Sequence, residues 1–294
     1  IDVGLQKMLV ILRVPLKALQ KRQGALTLED CDCCGCFIRE TWRGEHVADA
    51  LEATFDVVGV PLAVLKDQGS ELGKAIKILK KSDRKERYQK MASLVDVGHF
   101  AACALKSWSQ LQRHMDSFLK LVSSARTSLS LHHLSFLKPP ALRVKGRFLS
   151  LTRLAKWAQT IVPLLHDQTT FKTEPNFLKL QPLLRRLGGY RFFLIRFCET
   201  CQAVEAFLKH CKTHGINQQH AKDALKLLEV LPSSHVVRKT LETWTKRTLN
   251  THCRLGIGQT PLPVSTDILE SLFGKFKYIR QRSSGKVDFN RTIL

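Results

Sequence analysis

The spacing of apolar and polar positions changes partway along this chain. Up to about residue 100, short apolar runs alternate with helical stretches. Met8-Leu9-Val10-Ile11-Leu12-Arg13-Val14 predicts a buried strand, and Cys33 to Ile38 predicts another. From Glu45 to Val57 the positions Val47, Ala50, Leu51, Ala53 and Val57 follow a helical period, and Gly59 is placed to stop the helix. Val60-Pro61-Leu62-Ala63-Val64-Leu65 predicts a strand with Pro near its start, where a missing N–H is tolerated. Glu71 to Lys81 predicts a helix, Ala92 to Val97 a strand, and a further helix begins near His99. Strands alternating with helices predict a layered sheet with helices on its faces.

From about residue 103 to 250 strand signals almost vanish. Leu111, Met115, Phe118 and Leu119, then Leu151, Leu154, Ala155, Ala158 and Ile161, recur at helical spacing, as do positions in Phe192 to Leu208 and Ala221 to Leu231. Breaks fall at Pro139-Pro140, Pro175, Gly188-Gly189, Gly215 and Pro232. Typical helix lengths make this an all-α block of roughly five to seven helices. Residues 251 to 265 read as a loop, and a last helix starts near Asp267 and runs toward Arg282. The expected organisation is therefore residues 1–102 as the first part of an α/β core, 103–255 as an all-α insertion, and 256–294 as the last part of the core.

Charge narrows the set of partners. The 294 residues carry 47 Lys and Arg against 25 Asp and Glu, a net charge of +22 with a pI near 9.9. Such a surface suits a polyanion. No apolar run approaches the ~20 residues needed to span a bilayer, so no membrane partner is expected. Nine Cys without a signal-type leader read as reduced cytosolic thiols rather than a disulfide framework. The chain opens on Ile1-Asp2 and reads as a fragment.

Two acidic motifs stand far apart. Val64-Leu65-Lys66-Asp67-Gln68-Gly69-Ser70-Glu71 is an apolar strand ending in Asp at a polar turn. Ser265-Thr266-Asp267-Ile268-Leu269-Glu270-Ser271-Leu272-Phe273-Gly274-Lys275-Phe276-Lys277 opens an amphipathic helix. With Asp2, the carboxylates of Asp67 and Glu270 make an oxygen-ligand set for two divalent metals, and in so basic a protein the natural substrate is a phosphodiester. A structural alternative stands beside this: the Asp267-x-x-Glu270 spacing is that of a capping box.

Four segments in this order resemble the DDE transposases of bacterial insertion sequences. They are Ile1-Asp2 with Lys7 to Leu12; Val60-Pro61 through Asp67-Gln68-Gly69-Ser70; Asp96-Val97-Gly98-His99; and Glu270-Ser271-Leu272-Phe273-Gly274. The resemblance spans essentially the whole chain. It implies an α/β fold with an RNase H-like mixed sheet flanked by helices and interrupted by a large all-α insertion. It also implies metal-dependent DNA cleavage and strand transfer at transposon ends with two Mg²⁺ or Mn²⁺ ions. In that reading Asp2 bridges the metals, Asp67 holds one, Glu270 holds the other, and His99 orients a carboxylate or contacts the scissile phosphate, with a helix-capping or packing histidine as its equal alternative. Double-stranded DNA, both terminal repeat and target, would be the partner of a homo-oligomer in the cytoplasm at the nucleoid. The alternative is a truncated remnant that only binds DNA.

Lys74, Lys81, Lys275, Lys277, Arg280 and Arg282 are the expected DNA-binding positions, with a solvated helix face as the plain alternative. Asp96 reads as a helix N-cap. In Cys31-Asp32-Cys33-Cys34-Gly35-Cys36 alternate residues of a strand face opposite ways, which spoils a tetrahedral metal cluster unless the strand bends. Cys198, Cys201, His210 and His214 have finger-like spacing but also fit one continuous helix, and Trp108, Trp157 and Trp244 fit core packing.

Overall fold

Residues 2–3, 6–22, 24–129, 137–141, 147–164 and 175–284 are described by the computed structural model. They form a mixed α/β structure that is mostly helical, with two small sheets. The chain separates into two compact units, one from Ile1–Phe100, His210–Lys222 and Thr245–Leu294, the other from Ala101–Lys209 and Asp223–Trp244.

In the first unit β1 (Asp2–Val3), β2 (Gln6–Arg13) and β3 (Asp32–Arg39) form an antiparallel sheet in that order. Pro15 follows β2, and a short helix absent from the sequence expectation, α1 (Leu16–Lys21), comes next. Leu9 pairs with Phe37 and Ile11 with Gly35, whereas Leu12 pairs with Cys33, so β3 carries one extra residue, Cys34, as a bulge. Leu9 and Ile11 pack against α2 (Gly44–Val58) through a cluster of Val47, Leu51, Phe55, Ala75, Ile76 and Leu79. Gly59 ends α2 with φ of 82° and donates its N–H to the Phe55 carbonyl. Leu79 is 2% exposed in this cluster, and its truncation to Ala would cost about 2–5 kcal/mol.

A parallel pair follows: β4 (Ala63–Lys66) and β5 (Ala92–Val95), connected through α3 (Ser70–Leu79) and the short α4 (Lys85–Tyr88). Both strands are shorter than expected. Pairing starts where the Ala92 N–H donates to the Leu62 carbonyl, beyond Pro61, which has no N–H to donate. β5 stops at Val95 because Asp96 turns its carboxylate to the next helix, α5 (Val97–Gln110).

The second unit is built on α6 (Met115–Leu129), α7 (Arg147–Leu164), α8 (Pro175–Gly188) and parts of α5, α9 (Arg191–His214), α10 (Gln218–Lys226) and α11 (Val236–Leu255). Pro175 opens α8, where its missing N–H costs nothing. Trp108 stacks on Phe197 with centroids 6.3 Å apart, and the Trp157 Nε1–H donates to the Leu137 carbonyl at 2.8 Å. Trp108, Trp157 and Trp244 are all buried, as core packing requires. α11 runs to Leu255, into the stretch expected as loop, and α12 (Asp267–Ser284) closes the described chain. No helix among the described residues is long and apolar enough to cross a membrane.

Candidate active site

The parallel strands β4 and β5 are in register, Lys66 opposite Val95, so the residues that follow them, Asp67 and Asp96, leave neighbouring strand ends. The ladder continues one step further, with the Asp96 N–H donating to the Lys66 carbonyl at 2.8 Å. From here the two aspartates diverge. Asp67 is half-buried, and its Oδ1 accepts the Gly69 N–H at 2.7 Å, an Asx turn that leads into α3. A side chain on Gly69 would bring its Cβ to 2.8 Å from that oxygen.

Asp96 is 2% exposed and accepts from four donors. Its Oδ1 takes the His99 N–H at 2.7 Å, the bond of an N-cap, and the His99 ring Nδ1 at 3.1 Å. Its Oδ2 takes the Thr266 N–H at 2.7 Å and the Thr266 hydroxyl at 3.0 Å. Burial alone pushes the Asp96 pKa up, but these hydrogen bonds, first from His99 and then from Thr266, outweigh it and hold the pKa below the usual carboxylate range.

Thr266 directly precedes α12, so Asp96 fixes where that helix begins. A row of backbone bonds delivers the preceding segment. Ile216 and Leu262 exchange both their N–H···O bonds at 2.9 Å, and the Val97 N–H donates to the Val264 carbonyl at 2.9 Å. Asn217 Nδ2 donates to the Gln259 carbonyl at 3.1 Å, and the His252 ring pairs with the Thr260 carbonyl at 2.9 Å. Gly215, at φ of 67°, makes the close approach possible, because a Cβ there would stand 2.6 Å from the Leu262 carbonyl oxygen.

Leu269 and Glu270 both donate their N–H to the Thr266 carbonyl. The Asp267 carboxylate pairs with Lys212 Nζ at 2.7 Å rather than forming a box with Glu270. Glu270 is exposed in the first turn, and no hydrogen bond or ion pair from another described residue occupies its carboxylate. Both acids in this turn also suit the positive end of the helix dipole.

His99, in the first turn of α5, stands where these pieces meet. Its pKa is raised, chiefly by the hydrogen bond to Asp96, against some desolvation, and further by the charges of Asp96, Asp67 and Glu270. Asp67 and Glu270, distant in sequence, are tied to this junction through the backbone: Asp67 follows the strand paired with β5, and the Glu270 N–H donates to the carbonyl of Thr266, which Asp96 holds. With an ionised Asp96 as acceptor, Nδ1–H is the donor, and Nε2 remains for another partner.

Asp2 pairs in β1 with Lys7, but its side chain lies outside the described residues, as do those of Lys277, Arg280 and Arg282 in α12. Lys275 is exposed on α12. Lys74 is exposed on α3 and bonds Glu45 at 2.8 Å, with its stem lying over Gly44. Lys74, Lys77 and Lys81 line one shallow surface groove. Among the described residues no three His, Cys, Asp or Glu side chains are grouped to hold a metal. Cys198 and Cys201 are buried in α9, and burial pushes the Cys198 thiol up to about 11. His210 bonds the His220 carbonyl at 3.1 Å.

Three contributors escaped sequence reasoning. Thr266 and Lys212 act through long-range contacts that no local pattern announces. Lys66, half-buried beside Asp67, has its pKa lowered mainly by burial, with the Asp67 charge opposing and the Lys77 charge adding to the shift; its place at the end of an apolar run was the available signal. Comparison with protein-family models, with curated proteins and with solved structures finds no match to this chain.

Proposed function

We propose that this chain is the catalytic region of a DDE transposase, an enzyme that cleaves and joins DNA phosphodiesters at transposon ends. The observation that carries the reading is that Asp67 follows the strand paired with β5 while Glu270 sits one turn beyond Thr266, which Asp96 holds at the end of β5, and that neither carboxylate is saturated by donors from the described residues. The order of the longer elements supports it too: with the short α1 and α4 set aside, three antiparallel strands, a helix, a strand, a helix and a strand parallel to the last follow the order of an RNase H-like core, although here the five strands lie in two separate sheets and not in the one mixed sheet expected.

Asp67, Glu270 and Asp2 offer carboxylate oxygens, the donors that Mg²⁺ and Mn²⁺ prefer, and Asp67 and Glu270 keep acceptor capacity for them. Two such ions would supply activation of the attacking oxygen and stabilisation of the leaving one. The chain's own residues do the rest. Asp96 locks Thr266 and His99, so that Glu270 and the imidazole are presented from a fixed frame. As the imidazolium that its raised pKa favours, His99 would donate Nδ1–H to Asp96 and Nε2–H to a phosphate oxygen. Lys275 and the stripe of Lys74, Lys77 and Lys81 supply positive charge for the DNA backbone. Each phosphate they neutralise adds about −0.9 to the slope of log affinity on log salt. Duplex DNA in the cytoplasm, held by a homo-oligomer on paired ends, is the corresponding setting.

The test is nicking of duplex DNA in Mg²⁺ or Mn²⁺, with Asp67→Ala and Glu270→Ala beside the parent chain. Metal-dependent cleavage lost in both variants is expected. Salt-sensitive DNA binding with no cleavage by any of the three proteins would overturn the enzymatic reading and leave a basic DNA-binding protein.

A further inference from the structure

The cysteine run of β3 has no part in the site above. In a regular strand Cys33 and Cys36 would face opposite ways. The bulge at Cys34 reverses that. Leu12 pairs with Cys33 and Val10 with Cys36. Leu12 and Val10, two residues apart, share a face of β2, and directly opposed residues share a face of the sheet. Cys33 and Cys36 therefore project side by side. Their face is the one turned away from α2, because Leu9 and Ile11 occupy the other, where Gly35 comes against Thr54 of α2. Both cysteines are exposed and free.

The bulge also shortens the span between them, from about 10 Å for three strand residues to about 7 Å for two. That separation is wide for a direct disulfide, whose Cα atoms stand about 4.4–6.8 Å apart. It suits two sulfurs converging on one shared centre at bond lengths of about 2.3 Å. Burial is the first cause of the raised Cys36 pKa, and the Cys33 charge adds to it. A bound cation relieves that repulsion. Neighbouring sulfurs are turned elsewhere, Cys31 toward the Thr27 carbonyl at 3.4 Å and Cys34 toward the Asp32 carbonyl at 3.7 Å, while Cys33 Sγ has only a longer contact, 4.0 Å to the Gly35 carbonyl, which a metal would replace.

We propose that Cys33 and Cys36 form a two-thiolate site for a thiophilic metal or metalloid on the face of the sheet turned away from α2, toward its Cys33 end and away from the buried Met8. With no third His, Cys, Asp or Glu grouped beside them among the described residues, the site fits a soft centre content with two sulfurs, such as Cu⁺ or trivalent arsenic, rather than a closed tetrahedral zinc. This site does not depend on the catalytic reading.

Phenylarsine oxide on the reduced full chain tests it. Two S–H bonds are exchanged for two As–S bonds and the oxide oxygen leaves as water, so no oxidant is needed. A single arsenical per native chain is expected, protecting both Cys33 and Cys36 from alkylation in the peptide map. Cys33→Ser and Cys36→Ser should each lose that adduct and one tightly held equivalent of Cu⁺, while Cys34→Ser keeps both. Both serine variants change exposed side chains, and an unchanged melting curve checks their fold. Protection of a different cysteine pair in the parent chain, or retention of adduct and Cu⁺ by either variant, would overturn the proposal.

Discussion

Two neighbouring parallel strands each end in an aspartate, and the two ends do opposite things. After β5, Asp96 is buried and saturated by four donors. After β4, Asp67 is half-buried and accepts one backbone N–H in a tight turn. The same residue type at the same place in a strand–helix junction is a fastener in one case and a carboxylate with spare acceptor capacity in the other. Unspent acceptor capacity, rather than residue type or position, separates them.

The largest test of that contrast is stability. Asp96→Ala strands the Thr266 and His99 N–H groups and should destabilise the protein by about 3 kcal/mol in urea denaturation. Asp67→Ala loses a single turn bond and should cost no more than about 1 kcal/mol, while eliminating metal-dependent nicking. Equal costs for the two variants would erase the distinction.

Gly215→Ala sharpens it from a distance. It forces a side chain onto a left-handed residue and against the Leu262 carbonyl, for about 2 kcal/mol. Hydrogen exchange should quicken at the Thr266 amide and stay unchanged at Gly69.

A smaller effect is pH dependence. The lowered Asp96 pKa gives stability that is complete above the unfolded value of about 3.9 and is lost as pH falls through the folded one. The raised His99 pKa gives stability that is complete below about 6.5 and is lost as pH rises through the folded value. Solvent reaches His99, so its share stays under about 1 kcal/mol. The stability difference between the parent chain and His99→Gln should shrink between pH 6 and 8 by about that amount, whereas a flat difference would mean that the imidazole does not titrate against Asp96. The smallest effect is Lys212→Ala, which removes a partly exposed ion pair to Asp267 and should cost about 0.5 kcal/mol, less at high salt.

Local chemistry was readable in the sequence, and long-range closure was not. The helix stopped by Gly59, the turn after Asp67 and the cap at Asp96 all depend on residues within a few positions of one another. So does the alternation of elements up to residue 100. The start of β4 and the end of β5 differ from expectation because apolar residues extend beyond the stretch where the backbone pairs. The bulge in β3 was invisible because it is a property of the pairing with β2. Asp67, His99 and Glu270 each drew notice from their own motifs, but their shared neighbourhood depends on Thr266, 170 positions from Asp96, and nothing near either residue declares that bond.

That bond has a consequence for how this chain can vary. Asp96 and Thr266 close a loop whose entropic cost grows only with the logarithm of its length, about 0.6 kcal/mol for each doubling. The buried carboxylate, with its four donors, outweighs that increment several times over. The length of the helical segments of the second unit, 101–209 and 223–244, is therefore nearly free to drift, while the residues that close the loop and the frame that delivers Thr266 are not.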